Sequence, residues 1–419
     1  NVEPATPGAS ITAGSDPRHP ASLRELMSTT DITGIVIADS GNRVAWVARR
    51  VDEANDEAAT VLEIHDLASG HLLGQVHGRG LGAARWSRDG STLAYESTTD
   101  EKGGSGLDLW LYYPATNQSR RMLRNERGLA TVDWSPSGRW IYFSAARHVG
   151  EAEQYKPGDL QRLTQVWDRW SFYPEKAQLF ALDTQTGTVV QLLGDTLTSA
   201  EAPTVSPDGH AIVFARSVRT DSAPPWLRAE LWVLNLQDRS VHKLLDLPRE
   251  SFGAPTAFAW SPDSKAVAFC ASAEELQAHP AKTFSVYETE LYATAVEHPS
   301  LVHLSAGFMP AVTCSRPLYW SAADGRIYVT ADDGAKTIPA RTSAPVPSTL
   351  AQQPRLEPVP MPGDNIVAYD FAGGSMVAAI QTPVSPSVVY RIPLAGGPAV
   401  AIAHPSSDVL TSSIELPTW

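Results

Sequence analysis

Apolar and polar positions alternate in short runs along this chain, and one turn chemistry recurs between the runs. Trp86-Ser87-Arg88-Asp89-Gly90 leads into Leu93–Ser97, and Trp134-Ser135-Pro136-Ser137-Gly138 leads into Trp140–Ser144. Val205-Ser206-Pro207-Asp208-Gly209 precedes Ala211–Ala215, and Trp260-Ser261-Pro262-Asp263-Ser264 precedes Ala266–Cys270. Trp320-Ser321-Ala322-Ala323-Asp324-Gly325 precedes Ile327–Thr330. In each copy an apolar strand ends in Trp or Val. A tight turn follows, with Pro presetting φ and Gly accepting φ > 0. A β-branched or alternating strand then begins. Weaker copies flank these: Ile37-Ala38-Asp39-Ser40-Gly41 before Arg43–Ala48, and Phe371-Ala372-Gly373-Gly374 before Ser375–Ile380.

The repeat has a base period of about 50 residues, with insertions. A third strand follows each pair, as in Leu109–Tyr112, Gln178–Leu182, Glu230–Leu234 and Glu290–Ala293. A polar turn and a fourth strand, such as Thr188–Leu193, complete the unit. Repeated four-stranded antiparallel units make a β-propeller. The chain therefore reads as all-β: a lead-in over 1–30, then seven four-stranded blades over 31–406. Six blades plus a degenerate one is the competing count. The sixth copy is the poorest, because its outer half falls in the Pro-rich stretch Ile338–Pro362, expected to be a long irregular excursion. Helix is nearly absent, with short ones predicted at Ala21–Ser28 and Leu160–Val166.

Composition narrows the function. The 419 residues carry a net charge of −13, and 43% are hydrophobic, enough for a large core and against global disorder. No Lys/Arg cluster supplies the basic face that nucleic acid needs. The longest basic feature, Arg120-Arg121 with Arg124 and Arg127, reads as a solvated edge. No apolar run reaches the ~18 residues of a membrane span. The chain reads as soluble, with the compartment, bacterial periplasm or cytoplasm, left open. The two cysteines, Cys270 and Cys314, lie in different repeats. That spacing speaks against a disulfide framework, and both are expected to be buried thiols.

Metal and cofactor chemistry finds no support. His65, His71 and His77 lack partners at ligand spacing and are expected as solvated strand-end residues. Asp89, Asp208 and Asp263 read as turn caps, since an Asp side chain bonds nearby backbone N–H groups. Glu274-Glu275 and Asp332-Asp333 read as solvated loop tips, and the repeat tryptophans as wedges between blades. There is no phosphate loop and no His-Glu-x-x-His, so neither cofactor nor metal is expected.

The Trp-Ser-Pro-Asp-Gly turn with a Leu-Trp or Leu-Tyr third strand resembles two groups, the TolB-like propellers and the N-terminal propeller of the prolyl oligopeptidase family of serine peptidases. The irregular insertions favour the second group, as does the lead-in Ser22–Met27 followed by Asp31-Ile32. The largest insertion, Arg147–Lys176, contains Glu151, Glu153, Tyr155, Arg162, Trp167, Asp168, Arg169 and Trp170. The resemblance implies that these eight residues, on the face that meets a hydrolase domain, bind a peptide substrate. Within the family, the arginine-rich, lysine-poor chain is most similar to the lasso peptide isopeptidases. The resemblance also implies an α/β-hydrolase domain as partner, in the same or a companion chain, with 407–419 starting the linker to it. No Gly-x-Ser-x-Gly elbow is present, so no catalytic residue is expected within these 419 residues and no peptidase activity from them alone. The alternative from another class is a stand-alone TolB-like propeller that binds a protein or peptide.

Overall fold

The computed structural model describes residues 28–52, 57–102, 104–148, 175–194, 199–219, 227–247, 257–272, 289–313, 317–352, 354–363, 365–382 and 385–406. Every regular element among them is a strand. The predicted helices at Ala21–Ser28 and Leu160–Val166 lie almost wholly outside the described residues, as do Glu274-Glu275.

The first sheet contains β1 (Asp31–Ile37), β2 (Arg43–Asp52), β3 (Glu57–Asp66) and β4 (Leu72–Gly78). The second contains β5 (Ala84–Trp86), β6 (Leu93–Thr98), β7 (Leu107–Tyr113) and β8 (Gln118–Glu126). The third contains β9 (Ala130–Trp134), β10 (Trp140–His148), β11 (Glu175–Asp183) and β12 (Val189–Leu193). The fourth contains β13 (Ser199–Val205), β14 (Ala211–Arg219), β15 (Leu227–Asn235) and β16 (Val241–Asp246). A nine-stranded sheet then holds two copies of the repeat. It runs through β17 (Phe258–Trp260), β18 (Ala266–Ser272), β19 (Thr289–Ala295), β20 (Val302–His303), β21 (Ala311–Thr313), β22 (Tyr319–Trp320), β23 (Ile327–Asp333), β24 (Lys336–Thr342) and β25 (Leu356–Pro358). The last sheet contains β26 (Asn365–Ala372), β27 (Ser375–Thr382), β28 (Ser385–Pro393) and β29 (Val400–Ala403). Consecutive strands pair antiparallel in every four-stranded sheet, and none borrows a strand from elsewhere in the chain.

Both faces of each sheet's inner strands are buried, because alternate residues of a strand serve opposite neighbours. In β2, Val44 and Trp46 pack toward the last sheet, while Ala45 and Val47 pack toward the second. An apolar cluster fills each seam between successive repeats, and one more joins the first repeat to the last. The sheets therefore close into a propeller. The repeat tryptophans Trp86, Trp134, Trp260 and Trp320 are buried wedges, as the sequence predicts. Full burial of one large apolar side chain stabilises by about 1.5–3 kcal/mol, so each wedge contributes substantially to the seam it fills.

The repeat turn is held by its own side chains. Ser206 Oγ donates to Asp208 and accepts the Ala211 N–H, while His210 N–H donates to Asp208. Ser87 and Asp89 do the same, as do Ser261 and Asp263. The hydrogen bond from Ser87 holds the Asp89 carboxyl below its ordinary range. The turn glycines have positive φ, +68° at Gly90 and +75° at Gly209, and Ser264 takes the same conformation at +62°.

Three expectations need correction. Ile338–Thr342 is regular strand β24, paired with both β23 and β25. Pro339 is tolerated because its carbonyl accepts the Val359 N–H, so its missing donor falls at the end of three-residue β25. The irregular part shrinks to 343–355, where Val346 and Leu350 are buried, and the short stretch 359–362 after β25. Second, Cys270 is disulfide-bonded rather than a free thiol, and Cys314 is the chain's other cysteine. The shared sheet explains this. Thr289 of β19 pairs with Val312 of β21, so the stretch just before Cys314 runs beside the fifth repeat. Third, His65 is buried, its ring stacked on Trp46 with centroids 3.9 Å apart and its Nδ1 3.0 Å from the Gly70 carbonyl. The turn bearing Gly70 abuts Ile402 of β29 and covers it. His71, His77 and Asp332-Asp333 are exposed.

Candidate binding chamber on the propeller axis

The first strand of each repeat, or the residues just before it, lines two cavities on the axis. The larger has a volume of about 530 Å³ and the smaller about 150 Å³. The larger is walled by early positions of these strands, including Gly34, Gly82, Pro203 and Val367. The smaller lies toward the repeat turns, beside Asp39, Arg88 and Pro207. Arg85, Asp133, Thr204, Phe258, Leu318 and Asp370 wall both, and so form the waist between the two chambers.

Four of the waist residues occupy one place in the repeat. Arg85, Asp133, Thr204 and Asp370 each stand one position before the residue that opens the turn motif. This place also holds the seams. Trp86 Nε1 donates to the Val36 carbonyl of the preceding repeat, Trp134 to Arg85, and Trp260 to Thr204. Three repeats lack the tryptophan, and two of them begin their turns at the aliphatic residues Val205 and Ile37. There the preceding repeat supplies an aspartate instead. Asp133 Oδ2 accepts the Val205 N–H and Asp370 Oδ2 accepts the Ile37 N–H, both at 2.8 Å. Their other oxygens accept the N–H of the next residue, Trp134 and Phe371. At the seam before the last sheet, Tyr319 stacks on Phe371.

Electrostatics at the waist follow from burial. Arg85 Nε lies 3.7 Å from Asp133 Oδ1, and the Arg85 side chain is 47% exposed into the channel. Burial pushes the Asp370 carboxyl up to about 6, against the opposing pull of Arg85 and of the two backbone N–H groups.

The two ends of the axis differ. First-to-second turns span only two to six residues in all repeats. Second-to-third connections emerge at the opposite end, where the larger chamber opens, and reach 26 residues between β10 and β11 and 16 between β18 and β19. The eight predicted substrate residues, Glu151 through Trp170, all fall in the β10–β11 connection, outside the described residues. Sequence reasoning missed Arg85, Asp133 and Asp370. A signal existed: each aspartate precedes the repeat whose tryptophan is missing. The basic run, expected as a solvated edge, has Arg120, Arg124 and Arg127 exposed, and it is also ion-paired: Arg121 meets Asp100 and Asp108, and Arg124 meets Asp100.

No family model matches the chain. It is 26% identical over 219 residues to the uncharacterized peptidase YuxL of Bacillus subtilis (strain 168), a match covering 48% of this chain and 33% of that protein. Acylaminoacyl peptidase of Pyrococcus horikoshii superposes with a TM-score of 0.65 at 12% identity, over 92% of this chain and 54% of that one. The β-propeller domain of the Trilobed protease from Pyrococcus furiosus, described as having an open velcro topology, gives 0.64 at 12% identity, over 92% of this chain and 99% of that domain. A puromycin-hydrolyzing peptidase of Mycobacterium tuberculosis gives 0.62 at 14% identity, over 96% and 58%. The chain thus spans a third of its curated relative and just over half of two of these structures. Among the described residues no helix is long and apolar enough to cross a membrane. The chain is a β-propeller of the architecture that these peptidases carry.

Proposed function

We propose that this chain is the propeller, of seven blades, of a prolyl-oligopeptidase-like serine peptidase, and that it admits, size-selects and holds a peptide. An α/β-hydrolase domain, in the same or a companion chain, supplies the serine, base and oxyanion hole. The carrying observation is the asymmetry of the ring: the long connections and the mouth of the 530 Å³ chamber share one end, while the other end carries only short turns. Long loops in compact domains are usually functional, and chambers of this size suit small ligands. Glu151, Glu153, Tyr155, Arg162, Trp167, Asp168, Arg169 and Trp170 belong to the longest connection and are assigned to peptide contact at that mouth. The likeness to peptidase propellers in fold, and to YuxL in sequence, supports this reading. The finer reading, an isopeptidase of lasso peptides, is supported by the composition resemblance.

The test is the intact mass of the native gene product with and without a serine-reactive fluorophosphonate. A mass above 45.1 kDa carrying one adduct is expected. A product of this mass with no adduct and no labelled companion chain would leave a stand-alone binding propeller. Incubating the labelled-competent enzyme with a lasso peptide and its linear counterpart, and reading hydrolysis by mass, tests the finer reading.

A further inference from the structure

The larger chamber is mostly apolar, and its inner end carries one guanidinium beside two carboxylates. The carboxylates are already committed. Both oxygens of Asp133 and both of Asp370 accept backbone N–H groups that hold the seams. Arg85 is different. Its guanidinium donates no hydrogen bond to any described residue, and its nearest carboxylate approach is the 3.7 Å contact at Nε. Its backbone carbonyl is fixed by the Trp134 indole, so the side chain springs from a rigid base. A planar fork of N–H donors on a fixed stem, facing a cavity, matches a carboxylate in bidentate geometry. We propose that Arg85 receives the free C-terminal carboxylate of a short apolar peptide that enters the 530 Å³ chamber from the long-loop end. The chamber then measures the distance from a peptide's terminus, since the chain beyond the carboxylate points back to the mouth.

This inference rests on the peptidase-propeller reading but fails separately from it. The experiment titrates the 419-residue chain with N-acetyl-Phe-Leu-Phe as the free acid and as the C-terminal amide, by calorimetry. The acid should bind about tenfold or more tighter than the amide, the scale of a lost charged hydrogen-bond pair. Arg85→Gln should bring the acid down to the amide's affinity, and Arg85→Lys should fall between. Circular dichroism melts check that each variant is folded. The comparison of acid with amide on the unmodified chain decides the matter even if a variant misfolds. Equal affinity for both, tighter binding of the amide, or binding of neither overturns the proposal. Any of these outcomes together with a fluorophosphonate adduct on the native gene product leaves the peptidase reading intact, whereas loss of the adduct removes that reading.

Discussion

Asp133 closes the seam between the third and fourth sheets, and replacing it with Asn isolates that contribution. In the native chain Oδ2 accepts the Val205 N–H at 2.8 Å and Oδ1 accepts the Trp134 N–H at 3.0 Å. The side chain is buried. Asn offers one oxygen for two donors, and its NH₂ must face a backbone N–H. One buried donor is left unsatisfied, at a cost of about 1–3 kcal/mol. The surviving bond also loses its charge assistance, which roughly halves its strength. The ion pair with half-exposed Arg85 adds little. The expected loss is therefore about 2–3 kcal/mol for Asp133→Asn. Asp238→Asn serves as the comparison, since Asp238 lies on an exposed turn where it caps Ser240. That change should leave the unfolding midpoint nearly unmoved, because the side chain is fully exposed. Urea unfolding, read as a shift of the midpoint at constant slope, measures both. An Asp133→Asn loss no larger than that of Asp238→Asn would refute the assignment of the aspartate as a replacement for the missing tryptophan.

Two further outcomes follow from the same geometry. The Asp370 carboxyl rises from 3.8 to about 6 on folding, so the folded chain binds the proton more tightly. The stability it contributes is complete below about pH 4 and is lost as pH rises through 6, by an amount of order 3 kcal/mol. Asp370→Asn should remove that slope, and parallel urea midpoints for both chains from pH 4 to 7 would contradict it. Cys270 should resist iodoacetamide in urea without reductant, and reduction should lower stability by up to about 4 kcal/mol for the loop enclosed between the two cysteines. An alkylated product before reduction, seen by mass, would show that the thiol is free.

The repeat was legible in the residues because each unit is made locally. The turn bonds of Ser206 with Asp208 and Ala211 span at most five positions, and the strand alternation is written in neighbours. Period and turn together determine an all-β propeller with buried tryptophan wedges. Long-range geometry lay beyond that pattern. Asp370 meets Ile37 across 333 residues, a contact that exists only once the ring has closed. The same closure gathers Arg85, Asp133 and Asp370 at one waist; the aspartates are marked in the sequence only by comparison between repeats, and Arg85 not at all. Pro339 argued against a strand until the neighbouring β25 proved short enough to need no donor from it. Cys270 read as a free thiol because its repeat differs from that of Cys314, and a sheet shared by two repeats removed that separation. The sequence alone determines what is repeated, since backbone hydrogen bonding and burial period act over a few residues. Tertiary structure decides what the repeats enclose, because side chains from distant copies meet only on the common axis.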